Sequence, residues 1–360
     1  MSMDIDPFHA VYRQGEPGAG IGGYDLKSPS DRSFALDYNS SGKLDHLVIY
    51  RPGTGTCWIL SNQRGSFTPV YGNDDSGTGF GGFDLKHPND RGFAFDYNST
   101  GNQDHVVFYR PGFGAIFIMK YNGERYTPVY AQGHNGSGIG GFDLKSDRDR
   151  VFAFDYNHSG CADHLVLYRP GTGTIWILKN NNGDWSPVYQ QGDPGHGIGG
   201  FDLKSPADRA FAFDWESNGK LDHIALYRPG RGTFWILQNR GGLFSSVIHI
   251  GDPGPGIGGF DLANPFDEII AYDWEHTGKD NHIAIYRPGT GTFWVLKRNQ
   301  HGGFRAVFRE GDPGNGIGGY DLKSREDKFL AFDYESSGRK DYLIAYRTNG
   351  SGTIWILKHL

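Results

Sequence analysis

The chain has 360 residues, 15% of them aromatic and 56 of them glycine, with a formal net charge of −6. Its lysines and arginines are scattered, so the basic footprint of a nucleic-acid binder is missing. No apolar stretch approaches the ~18 residues of a membrane helix, and Cys57 and Cys161 are too few for a disulfide framework.

The opening MSMDIDPFHAVY lacks a charged segment followed by an apolar core, as a secretory leader would show. A cytoplasmic protein, or one released without a cleaved signal peptide, is expected. Phe8 to Arg13 (FHAVYR) reads as a lone strand. A unit of about 59 residues then begins and is written six times. Its anchor, Gly-Gly-aromatic-Asp-Leu, places Asp25, Asp84, Asp143, Asp202, Asp261 and Asp321 at spacings of 59, 59, 59, 59 and 60. A fixed period of this order marks solenoids, propellers or arrays, whose units cannot bury their apolar faces alone. The whole chain, 1–360, is therefore expected to form one domain.

The third unit shows the internal plan. DRVFAFDY (Asp149 to Tyr156), HLVLYR (His164 to Arg169), TIWILKN from Thr174 and WSPVYQQ to Gln191 alternate with turns rich in Gly, Asn and Pro. These four runs, A to D, predict four antiparallel strands, and no window has helical spacing. Four strands per repeat is the content of a propeller blade. The N-terminal FHAVYR matches D, and the chain ends on TIWILKHL, which matches C. The first strand should thus complete the last blade and close a six-bladed β-propeller without a free edge. The B–C turns and long D–A connections would share one loop-rich face.

Several repeated residues could carry chemistry. Asp37, Asn39, Gly42 and Asp45, with their later counterparts, have the look of a calcium loop. The fifth position is never acidic, however, so an A–B turn held by Asp and Asn is expected, with no metal. His46, His105, His164, His223 and His282 open strand B, with Tyr342 in the sixth copy. One per blade is too sparse for a shared metal, and hydrogen bonds to a neighbouring strand or blade are expected. Arg51, Arg110, Arg169, Arg228, Arg287 and Arg347 end strand B on the loop-rich face. Their forks could hold a ligand or pin an aspartate of the next blade, such as Asp84 or Asp143. Trp58, Trp176, Trp235, Trp294 and Trp355 recur in strand C, with Phe117 in unit two. An indole can bury the CH face of a sugar, or simply pack between blades. The GDPGxGIGG connections do not join a strand to a helix, so they are no dinucleotide fingerprint.

The unit FAFDYN-x-S-G-x-x-D-H-L-V-L-YRPG-x-G-x-x-W-I-L-K resembles the FG-GAP type of propeller repeat. It resembles more closely the bacterial and fungal lectin propellers typified by the Photorhabdus luminescens lectins. That resemblance implies binding of fucose or related sugars at sites repeated around the ring. The family is described with seven blades and this chain has six units, so the class of ligand carries over and a residue-level pocket does not.

Three functions follow. A multivalent lectin fits near-identical copies, with the Trp and Arg series as ligand-binding residues, glycans as partners, no cofactor and no catalytic residue. The molecule would be a monomer or dimer. A cyclase- or hydrolase-type enzyme would instead use one small-molecule site at the channel mouth, built by deviations from consensus such as Lys86-His87, Glu268, Asn281 or Trp215 with Glu216. A protein-interaction scaffold would bind no small ligand.

Overall fold

The structure, a computed structural model, describes residues 6–72 and 77–360. Within them every regular element is a strand, in six antiparallel four-stranded sheets that form a six-bladed β-propeller. Blade one takes Arg32–Leu36, His46–Arg51, Thr56–Gln63 and Ser66–Gly72 as strands A to D. Blades two to five repeat this plan from Arg91, Arg150, Arg209 and Glu268. Blade six takes Asp327–Phe332, Tyr342–Arg347 and Thr353–His359 as A to C, and Phe8–Gln14 as D. Phe8 pairs with His359 and Gln14 with Ile354, so the ring closes as the chain ends predicted.

The layering follows from strand composition. All six B strands are buried along their whole length, which suits their nearly continuous apolar runs. The core lies between blades: Leu36, Val48 and Ile59 of blade one pack with Phe80, Leu85 and Phe108 of blade two. The A strands approach one another around the ring and line the central channel. The D strands form the rim. Each carries one unpaired residue in its pairing with C, at Val11, Val70, Val129, Val188, Val247 and Val307. Such bulges, with Pro69, Pro128 and Pro187 beside them, blunt an exposed sheet edge.

The aspartate of the Asp-Asn motif does fix the A–B turn. Asp37 accepts the Ser41 and Gly42 amides at 2.8 Å each, and Asp155 does the same with Ser159 and Gly160 at 2.9 and 2.7 Å. The histidines bond differently from the expectation. His46 Nδ1 lies 2.6 Å from Asp45 Oδ1, the residue just before it, and His164 and His223 repeat this with Asp163 and Asp222. The preceding acid is the partner because the strand opens at the histidine, directly after it, with the carboxylate beside the ring. Neighbouring blades are instead braced by the tyrosine before each B-strand arginine: Tyr50 accepts Gly92 N–H at 2.8 Å and Tyr168 accepts Ala210 N–H at 3.0 Å.

Candidate functional site

On the loop-rich face each D–A connection is held to the B–C turn of the blade it leaves. Gly53 N–H donates to Leu85 O at 2.9 Å, and Gly171 N–H to Leu203 O at 2.9 Å. The connection needs a left-handed glycine here: at Gly197 (φ +76°) a Cβ would lie 1.8 Å from the Phe201 carbonyl oxygen.

The six arginines are placed alike. Arg228 Nε and Nη2 donate to the two oxygens of Asp208 at 2.6 and 2.9 Å, and Nη2 also reaches Asp202 Oδ1 at 2.6 Å. Its third nitrogen, Nη1, bonds Asp252 in the outgoing GDPG connection. Arg169 binds Asp149, Asp143 and Asp193 in the same way, and Arg287 binds Asp267, Asp261 and Asp312. Arg347 closes the ring with Asp327, Asp321 and Glu16. Arg51 and Arg110 take Asp31 with Asp25, and Asp90 with Asp84. The two aspartates that precede each arginine therefore enter its own blade, not the next one as the sequence suggested. The connection enters strand A next to the end of strand B, and that antiparallel neighbour is the nearer one. One guanidinium thus ties the incoming and outgoing connections of a blade together.

The electrostatics separate the two aspartates. Asp208 has a fully buried side chain, and burial raises its pKa despite Arg228. Asp202 is half exposed. Burial pushes it up, but the Lys204 amide and Arg228 outweigh this and hold it below the ordinary carboxylate range. The bond to Asp208 in turn raises Arg228, against its burial. An ion-paired cluster results, with the Asp202 edge facing outward.

The tryptophans stand beside this cluster, each edge-on to the aromatic of the Gly-Gly-aromatic-Asp string. Ring centroids are 5.7 Å apart for Phe201 and Trp235 and 5.5 Å for Phe260 and Trp294. The arginine also lies over that aromatic, 5.4 Å from the ring centroid for Arg228 on Phe201. The indole N–H is used internally, Trp235 donating to Ile250 O at 3.0 Å and Trp176 to Gln191 O at 2.8 Å.

In blade four these residues enclose a cavity of about 140 Å³ lined by Gly200, Phe201, Asp202, Arg228, Thr233, Trp235, His249, Gly251 and Asp252. The structure therefore brings one member of the Trp series and one of the Arg series to a common wall. Sequence reading missed two contributors. The first is the acid of the GDPG connection, Asp193, Asp252, Asp312 or Glu16. The second is the strand-D residue opposite each tryptophan. That position holds Gly72 against Trp58, Gln190 against Trp176, His249 against Trp235, Arg309 against Trp294 and Arg13 against Trp355. His249 covers Trp235 at 3.8 Å between centroids, and Arg13 and Arg309 lie 4.2 and 4.7 Å over their indoles. The only signal in the sequence was that this position varies where its neighbours repeat. Blade two departs most, with Phe117 opposite Ala131 and His134 beside Arg110 in place of the acid.

No protein-family model matches the chain, and no curated protein matches it either. Among solved structures it is similar to an Agrocybe aegerita lectin described as specifically recognising non-reducing terminal N-acetylglucosamine. The identity is 20% over 94% of this chain and 81% of that one, with a TM-score of 0.54. It is also similar to the Pseudomonas aeruginosa periplasmic gluconolactonase PpgL, at 12% identity over 89% and 83% of the two chains and a TM-score of 0.40. The β-propeller domain of Myceliophteria thermophila Cps50 (Swd1) aligns at 10% identity over 98% and 99%, with a TM-score of 0.47. At 20% identity the likeness to the Agrocybe lectin extends to the fold.

Proposed function

We propose that the protein is a multivalent carbohydrate-binding protein, with shallow pockets repeated over several blades on the loop-rich face. The blade-four cavity carries this reading. It sets an aromatic wall (Trp235, Phe201) against outward carboxylates (Asp202, Asp252), a hydroxyl (Thr233) and an imidazole (His249). Apolar faces with a few convergent acceptors and donors match the CH patches and hydroxyls of a pyranose. The arginine acts through the carboxylates it holds in place.

Blades three to six hold the full set of tryptophan, arginine and connecting-loop acid, so each is assigned a site. Blade two, with Phe117, Ala131 and His134, is the empty one. Weak sites repeated on a rigid disc gain avidity on a glycan-covered surface without new contacts. Repetition of one pocket favours binding over catalysis, since a catalytic site is assembled once from unlike residues. The first ligands to test are fucose and related sugars, joined by N-acetylglucosamine because the Agrocybe lectin recognises it.

Calorimetric titration with L-fucose, its methyl glycosides, galactose and N-acetylglucosamine tests the proposal, alongside a glycan array. Saturable binding with several sites per chain is expected, and His249→Ala with Asp252→Asn should lower the stoichiometry by one. Silence of every sugar in both assays would overturn the reading.

A further inference from the structure

The first residue after the buried aspartate of each unit is Arg32, Arg91, Arg150, Arg209, Glu268 or Lys328. It stands at or beside the start of strand A, so all six belong to the channel wall at its loop-rich mouth. Arg32, Arg91, Arg150 and Lys328 line a central cavity of about 350 Å³ there. Arg209 is drawn to Glu268, 3.2 Å away, and that pair neutralises one side of the ring. Among the described residues no carboxylate pairs with any of the other four. Arg150 donates to the Arg148 carbonyl at 2.8 Å and Lys328 to the Asp31 carbonyl at 3.1 Å. The Nε atoms of Arg32 and Arg91 are buried without a hydrogen-bond partner. Mutual repulsion adds to burial here: Arg91 is held below its ordinary pKa by burial first and by Arg150 and Arg32 after it.

The B-strand tyrosines line the same cavity. Tyr50, Tyr109 and Tyr168 accept backbone N–H groups of the next blade and keep a hydroxyl proton to donate. Four cations gathered at one cavity with no ion-paired carboxylate among the described residues, in a chain of net charge −6, are unfavourable unless something anionic visits them. A single carboxylate would leave most of the ring uncompensated, and a chain of net charge −6 with scattered basic residues lacks the footprint for a nucleic-acid strand.

We propose that the channel mouth binds a small molecule carrying more than one phosphoryl charge, one per ring, at a site separate from the blade pockets. Guanidinium forks and phenolic hydroxyls converging on a tetrahedral oxyanion supply the recognition. Glu268 limits the affinity by occupying Arg209.

The test is calorimetry at fixed ionic strength with sodium tripolyphosphate, fructose 1,6-bisphosphate and sodium sulfate, on the intact protein and on Arg91→Gln and Glu268→Gln. One site per chain is expected for at least one phosphoryl probe, weakened about tenfold or more by Arg91→Gln and tightened by Glu268→Gln. Tripolyphosphate alone would assign the site to free oligophosphates, and the bisphosphate to phosphorylated sugars; either supports the site. Silence of both phosphoryl probes overturns the proposal. So does binding that neither substitution alters, or that sulfate reproduces. Sugar binding at the blade pockets is read separately and should be unchanged in Arg91→Gln.

Discussion

Replacing Asn281 with Asp should remove much of the acid sensitivity of blade five. His282 is fully buried. Its Nδ1 lies 2.6 Å from Asn281 Oδ1, an acceptor, and its Nε2 has no partner. The four sister histidines face an aspartate at that position. Burial drives the His282 pKa down to about 4, with Glu275 pulling only partly the other way. The folded protein therefore refuses a proton that the unfolded chain accepts below about pH 6.5. Stability is whole above that pH, falls as the pH drops toward 4, and stops falling below it. At about 1.4 kcal/mol per pH unit, the loss from pH 6.5 to 5 is on the order of 2 kcal/mol. A carboxylate at 281 would favour the imidazolium and shrink this loss. Urea unfolding of both proteins at pH 7.5, 6.5, 5.5 and 5 reads the difference. His359, also held down to about 4 by burial, is present in both proteins, so the comparison reads the change at position 281. Parallel stability curves from pH 7.5 to 5 would refute the reasoning.

Other perturbations test the scaffold. Arg228→Met leaves the buried Asp208 charge unpaired and should cost about 3–5 kcal/mol by denaturant unfolding; adding Asp208→Asn should recover part of it. Gly197→Ala places a Cβ against the Phe201 carbonyl at φ +76°. It should cost more than the ~1–2 kcal/mol that left-handed backbone imposes on an L-residue, measured in the same way, while a conservative change at exposed Leu243 should be nearly silent.

The 59-residue period, the four strand-like runs and the split of the last blade between the two termini were all legible in the sequence. Strand periodicity and turn chemistry are local, and a sixfold repeat presents the same local pattern six times. The A–B turn was readable for the same reason, since Asp37 bonds amides only four and five residues ahead. Partner choice was not readable. The arginine's aspartates lie 20 and 26 residues before it, and only the packing of strand B against the incoming connection shows that they belong to its own blade. The strand-D residues over the tryptophans also escaped, because a bulge shifts the C–D register and no local signal counts that extra residue. The channel ring needed all six blades at once. Arg32 and Arg150 are 118 positions apart in sequence and face one cavity only because the sheet units close into a circle with strand A innermost. Local chemistry chose the blade, and closure of the ring decided which of its residues meet.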